Sequence, residues 1–253
     1  MFINTMEDHQ EWIFGFIPCK YSARLIDKLL SINENRPEKT KIDIVKIQKA
    51  IYYAKKYHGD QKRESGEPYY SHPLEVAYML AEYAYDYNQL YFRTDLLISS
   101  ILHDTLEDTE LTKQMIAEEF GEPVATQVES LTRIKERGKI SSEELVLSLV
   151  AQKNTDVLVI KMFDRLHNVQ TIKAKSFEKI KKIVEETIRV FLLLSIYLDM
   201  PHIKNILINF CYENLHIQQH SYSLTDKTSV FCTNNYQLYT PKFQNDVDQL
   251  NTK

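Results

Sequence analysis

The chain predicts an all-α fold, a helical bundle with one metal site, and three observations predict its helices and core. Glycine and proline number only five and seven in 253 residues, too few for the tight turns of a β-rich domain. From Ile42 to about Leu215, apolar residues recur every three or four positions, the spacing of one helix face. Hydrophobic residues make up 43% of the chain and aromatics 11%, enough for a sizeable core in one large domain or two small ones. About ten helices are expected, with trivial strand content.

In chain order, Ser22 to Ile32 is the first helical candidate, with Leu25, Ile26, Leu29 and Leu30 on one face. NENRPEKT (33–40) breaks it with Pro37, so residues 1–40 read as an N-terminal helical extension. Ile44, Ile47, Ile51 and Ala54 mark the next helix, which ends near His58-Gly59, where glycine suits the position after a helix. The polar loop DQKRESGEPYYSHP (60–73) follows, and Pro73 places His72 at the N-cap of the helix LEVAYMLAEYA.

After Asp95 comes LLISSILHDTLEDTELT (96–112), an apolar run that then delivers His103, Asp104, Glu107 and Asp108 within six residues. A continuous helix would stack His103 with Glu107 and Asp104 with Asp108. An N-cap and surface acids could also produce an isolated His-Asp pair. Four such groups directly after a run built for burial point to a metal site, because buried charges are costly unless paired or metal-bound.

Thr112 to Phe120 is a short helix ending at Gly121, and Pro123 to Ile134 another. RIKERGKISS (133–142) reads as a polar loop, followed by a helix through Gln152. The run VLVIKMF within VLVIKMFDRLHNVQTI (157–172) suits strand or helix, and its surroundings favour helix. Taken alone, Asp164–Arg165 there could be a surface pair with Asn168 as a C-cap. Phe177 to Met200 is a long amphipathic region, and Ile203 to Leu215 a further helix. Residues 218–253 are polar and read as a loosely held tail.

Several function classes are excluded. A net charge of −4 offers no basic footprint for nucleic acid, and Lys179, Lys181 and Lys182 read as a solvated helix face. Cys19, Cys211 and Cys232 are too widely spaced for a zinc finger or disulfide framework, which suits a reducing compartment. The N-terminus lacks the basic region of a signal peptide. No run reaches the roughly 20 apolar residues of a membrane span. A soluble, cytoplasmic protein is expected.

The joint pattern His72, His103-Asp104 and Asp164 is the ligand set of the HD phosphohydrolase superfamily. RESGEPYYSHPLEVAYML, SILHDTLEDTELT, FGEPVATQVESLTRI and VLVIKMFDRLHNVQTI resemble, in order, the hydrolase domain of the RelA/SpoT alarmone enzymes. The resemblance covers roughly residues 42–215, within a hydrolase domain drawn at 41–217. It implies a domain binding one Mn²⁺ that hydrolyses the 3′-pyrophosphate of ppGpp or pppGpp to GDP or GTP and pyrophosphate, lowering the stringent-response alarmone. It also implies His72, His103, Asp104 and Asp164 as metal ligands, Glu107 and Asp108 as the catalytic acidic pair, and Arg63, Ser65 and Asn168 as nucleotide contacts. Nitrogen and oxygen donors suit Mn²⁺, Fe²⁺ or Zn²⁺ alike.

Three departures from the family stand out. Glu64 takes a position where the family usually carries Lys or Arg, Phe163 replaces a small residue before the ligand aspartate, and LLLSIYLDM (192–200) has lost polar residues. No stretch follows that could form the synthetase or regulatory domains of full-length members, so a stand-alone hydrolase like the small alarmone hydrolases, or a shortened SpoT-like remnant, is expected. Two alternatives compete: a phosphohydrolase of another nucleotide such as the 2′-phosphate of NADPH, and a degenerate, non-catalytic alarmone-binding protein.

Overall fold

The computed structural model describes residues 12–135, 138–172 and 175–223, with 135 and 215–223 by backbone alone. The chain divides after His216, and the described residues beyond it, 217–223, are helical. The expected tail therefore falls, past that helix end, outside the described residues.

The first long helix, α1 (Lys20–Glu34), starts two residues before the expected boundary. Its Leu25, Leu29 and Ile32 enter the main core, so the extension shares that core. Next, α2 (Ile44–His58) begins where Asp43 accepts a hydrogen bond from the Lys46 amide, and it ends at Gly59, whose φ of 49° a side chain would resist. A tight loop follows in which the Arg63 amide donates to Glu67 O and the Tyr69 amide to Gln61 O. It delivers α3 (Ser71–Asp86). His72 lies inside the first turn of α3, not at its N-cap, which is Tyr70. Proline tolerates any first-turn position, so Pro73 could not fix the start to the residue.

The expected helix through 96–112 is interrupted. α4 (Thr94–Ile101) stops before Leu102, and a separate turn, α5 (Thr105–Asp108), resumes beyond Asp104. Leu102 O accepts from both the Thr105 hydroxyl at 2.7 Å and the Thr105 amide at 3.0 Å, which ties the two sides of the break together. Helices α6 (Lys113–Phe120) and α7 (Glu122–Leu131) pack on one another, joined at Gly121 with φ 92°.

Residues 133–142 are not simply a loop. Ile134–Lys135 and Gly138–Lys139 pair antiparallel, with Ile134 opposite Lys139. Gly138 sits at φ 112°, a conformation open to glycine. Helix α8 (Ser142–Ala151) then starts with a capping box between Ser141 and Glu144.

The ambiguous apolar run is helix: α9 (Thr155–Gln170) buries every residue from Val157 to Leu166. Phe163 is fully buried, its ring 5.4 Å from that of Tyr83, so α3 supplies its packing partner. The amphipathic region after it splits into α10 (Phe177–Glu186), a π turn at Thr187–Phe191, and α11 (Leu192–Tyr197). The Thr187 hydroxyl donates to Ile183 O at the start of that π turn. α12 (Pro201–Ser223) is the last element.

Twelve α-helices lie among the described residues, against about ten expected from periodicity. Two of them, α5 and α11, are four and six residues long, too short to show a period. Among the described residues, strand is confined to the single pair of two-residue strands. Helices α3, α4 and α9 form the middle of the core. Residues Leu96 to Ile101 are all buried, and α3 packs on both α4 and α9. No helix among the described residues is long and apolar enough to cross a membrane.

Candidate metal centre and acidic pair

Three stretches that are apolar for packing each carry a polar group to one point. α3 brings His72, the α4–α5 break brings His103 and Asp104, and α9 brings Asp164. Donor atoms of His72, His103 and Asp104 lie within 4.8 Å of one another. Asp164 Oδ1 is 3.2 Å from His72 Nε2 and 3.8 Å from His103 Nε2. All four expected ligands are therefore brought together, across 92 residues of chain.

The break after Ile101 explains how neighbours can share a centre. On one continuous helix His103 and Asp104 would diverge by about 100°. In the turn, Asp104 Oδ1 approaches His103 Nε2 at 3.2 Å and Asp104 Oδ2 approaches His72 Nε2 at 3.5 Å.

The imidazoles are prepared as donors. His103 Nδ1 lies 2.7 Å from Ser100 O, a carbonyl that can only accept, so Nδ1 carries the hydrogen. Its Nε2 is buried, in no hydrogen bond and facing two carboxylates, a position that a proton or a cation can fill. Such an atom is costly unless something binds it. Two imidazole nitrogens and two carboxylates around it suit a divalent cation.

Charge in the cluster is lopsided. Burial pushes His72 below its ordinary value. Burial opposes protonation of His103 too, but Asp104 and Asp164 outweigh it and hold His103 up to about 10. Burial likewise works against the Asp104 and Asp164 charges, and neighbouring cations keep both carboxyls below the usual range. For Asp164 the foremost cation is Lys161, buried one turn earlier, whose Nζ lies 2.5 Å from Asp164 Oδ2.

The acidic pair separates. Asp108 Oδ2 accepts a hydrogen bond from the Tyr69 hydroxyl at 2.8 Å, and the same hydroxyl lies 3.2 Å from Asp104 Oδ2. A phenol has one proton, so the shorter contact is taken as the bond. Glu107 faces the other way. It accepts from the Arg133 amide and guanidinium and lies 2.5 Å from Lys139 Nζ, pinning the β pair. Burial opposes its charge, yet Lys139 and Arg133 keep it ionised below its usual range. An open depression of about 540 Å³ beside them is lined in part by Gln61, Glu107 and Asp108.

Of the expected nucleotide contacts, Arg63 and Asn168 come together. Arg63 Nη2 lies 3.4 Å from Asn168 Oδ1 and donates to Thr171 Oγ1 at 3.2 Å, joining the loop to α9. Asn168 in turn donates to Asp164 Oδ1 at 2.7 Å. Ser65 is exposed on the loop. Glu64 points away from this group, paired with Lys179 and with Lys175 at 3.7 Å.

Tyr69, Lys161 and His167 escaped the sequence reading. His167 Nδ1 lies 2.7 Å from His72 Nδ1, and burial pushes His167 down to about 2. Its spacing of three from Asp164 placed it on the same helix face. Tyr69, beside Tyr70 in a polar loop, left no comparable signal.

A helical bundle that gathers two histidines and two aspartates at its centre offers nitrogen and oxygen donors suited to one divalent cation. The chain belongs to the HD-domain family, whose sequence profile matches residues 50–200. It is 37% identical over 198 residues to a guanosine-3′,5′-bis(diphosphate) 3′-pyrophosphohydrolase of Aquifex aeolicus, covering 77% of this chain and 26% of that protein. It is 34% identical over 188 residues to a GTP pyrophosphokinase of Streptomyces coelicolor, covering 73% of this chain and 21% of that one. The chain thus spans about a quarter of the length of these curated relatives. A solved structure described as a metazoan ortholog of SpoT that hydrolyses ppGpp superposes with a TM-score of 0.49 at 20% identity, covering 66% of this chain and 94% of the other.

Proposed function

We propose that this chain is a cation-dependent hydrolase that removes the 3′-pyrophosphate of ppGpp or pppGpp, yielding GDP or GTP and pyrophosphate. The observation that carries this reading is the convergence of His72, His103, Asp104 and Asp164 with Asp108 beside them. Likeness to the Aquifex pyrophosphohydrolase supports the substrate class. The four residues would hold the ion through both Nε2 atoms and both carboxylates, and Mn²⁺ is the ion we propose. When bound, such an ion polarises a phosphoryl oxygen and eases deprotonation of water.

The chain's own residues supply the rest. Asp108, oriented by Tyr69, accepts the proton of the attacking water. The water oxygen bonds to the phosphorus carried by the ribose 3′ oxygen, that P–O bond breaks, and the 3′ oxygen leaves as a hydroxyl by taking the proton that Asp108 returns through solvent. Glu107 holds Arg133 and Lys139 at the rim, where their charge favours a polyphosphate. Arg63, Asn168 and the nearby Ser65 meet the nucleotide. The charge of Glu64 is answered by Lys175 and Lys179, which supports a binding loop that still accepts an anion.

Residues 41–217 are proposed as the hydrolase domain, with 1–40 as an extension and 218–253 as a tail, acting in the cytoplasm. The test is to incubate the purified chain with Mn²⁺ and ppGpp, pppGpp or NADPH. Pyrophosphate release from the guanine nucleotides is expected. Phosphate release from NADPH alone, or no release at all, would overturn the assignment.

A further inference from the structure

We infer that His167 is a positioning residue for the cation site, acting by fixing which nitrogen of His72 is free to bind. The inference rests on the cation site proposed above and extends it to a group outside the four expected ligands.

The two rings meet nitrogen to nitrogen, His72 Nδ1 to His167 Nδ1 at 2.7 Å, with centroids 4.8 Å apart. A contact that short requires one hydrogen between the two nitrogens, one donating and one accepting. His72 Nε2 faces Asp164 Oδ1 at 3.2 Å and Asp104 Oδ2 at 3.5 Å. To bind a cation there, Nε2 must be bare, so the single hydrogen of neutral His72 belongs on Nδ1. His167 Nδ1 is then the acceptor.

The second imidazole is set the same way, by a different partner. His103 Nδ1 is anchored to Ser100 O at 2.7 Å, which leaves its buried Nε2 as the nitrogen that can bind a cation once its proton is displaced. A backbone carbonyl anchors one ring and a side chain the other. The weaker link is therefore the one that a substitution can remove. His167 also sits on α9 between Asp164 and Asn168, so the helix that carries a carboxylate ligand carries this anchor too.

Two variants separate a hydrogen-bond role from a packing role. His167→Phe keeps a ring and removes the acceptor. His167→Asn loses the ring but can place an amide oxygen near the position of Nδ1. The readout is Mn²⁺ affinity by calorimetric titration of the full chain, with melting in EDTA measured alongside. His167→Phe is expected to bind Mn²⁺ about 10–100-fold more weakly than the parent, the usual cost of losing a partner behind a metal-binding histidine. His167→Asn is expected to recover most of that loss.

Binding by His167→Phe as tight as the parent's would overturn the inference. So would a His167→Asn variant that folds yet stays as weak as the Phe variant. If His167→Phe does not fold, the Asn variant decides alone, since retained affinity needs only the acceptor. A parent that binds no Mn²⁺ overturns both the cation site and this role. A parent that binds Mn²⁺ tightly, with the expected pattern in the variants, but leaves ppGpp intact removes only the substrate reading.

Discussion

The Tyr69 hydroxyl lies 2.8 Å from Asp108 Oδ2, while the Tyr69 ring stacks on His58 at 4.7 Å between centroids. A phenol fixed by ring packing thus orients the carboxylate proposed as the base. Tyr69→Phe keeps the ring and deletes only that donor. The turnover number on ppGpp is expected to fall about 10–100-fold with KM little changed, as for other supporting residues of metal sites. Steady-state kinetics checks it, and a parent-like turnover number would show that Asp108 is held by other means.

Asp104 caps the start of α5 and Asp108 is its last residue, one turn on, but they belong to different parts of the site. Asp108→Asn should keep Mn²⁺ binding and lose about 10²–10⁴-fold of the hydrolysis rate, because an amide cannot accept the proton. Asp104→Asn should lose ion and activity together, since a ligand decides whether the site assembles. Measuring Mn²⁺ content and ppGpp hydrolysis side by side distinguishes them. Parent-rate hydrolysis by Asp108→Asn would make the acidic pair ordinary helix surface.

Glu107 is expected to matter more for the β pair than for proton transfer. Its carboxylate receives the Arg133 amide and guanidinium together with Lys139. Glu107→Gln weakens three charge-assisted contacts at once, at a cost of about 1–3 kcal/mol for this largely buried acceptor. Limited trypsin digestion should cut faster between residues 133 and 139, and activity should fall less than in Asp108→Asn. Unchanged cleavage would show that the pair is held without Glu107.

Ion and proton compete at His103. Its raised pKa of about 10, against an ordinary 6.5, means that without an ion it is protonated across that range. Binding must displace this proton, so Mn²⁺ affinity should rise with pH from 6.5 to 10, by up to about tenfold per unit for one proton. The same shift stabilises the ion-free fold, fully below pH 6.5 and lost as pH climbs through about 10. Titrations in buffers of different ionisation enthalpy report the proton released. Affinity flat over this range would refute the protonated His103.

Local pattern was enough for most of the helices and for the His103-Asp104 cluster, whereas His72 and Asp164 joined that cluster only through the resemblance to a family. Periodicity over three or four residues marks α1 and α2 directly, the helical surroundings favoured helix for α9, and His-Asp after LLISSIL is unusual enough in composition to be noticed. Glycine at 59 and 121 marked two helix ends for the same reason, a backbone angle that side chains resist. All of these are properties of residues within one or two turns of each other.

What the tertiary structure decided lies across longer separations. The split after Ile101 follows from packing three elements around one point, since a continuous helix would have turned His103 and Asp104 apart. Glu107 and Asp108 are adjacent in sequence, yet Arg133, 26 residues on, claims one and Tyr69, 39 residues back, the other. His167 gains its role from His72, 95 residues away. A carboxylate or imidazole can serve as base, ligand or anchor with the same chemistry. Its partners in space choose among those roles, and in this chain the fold brings those partners from distant segments.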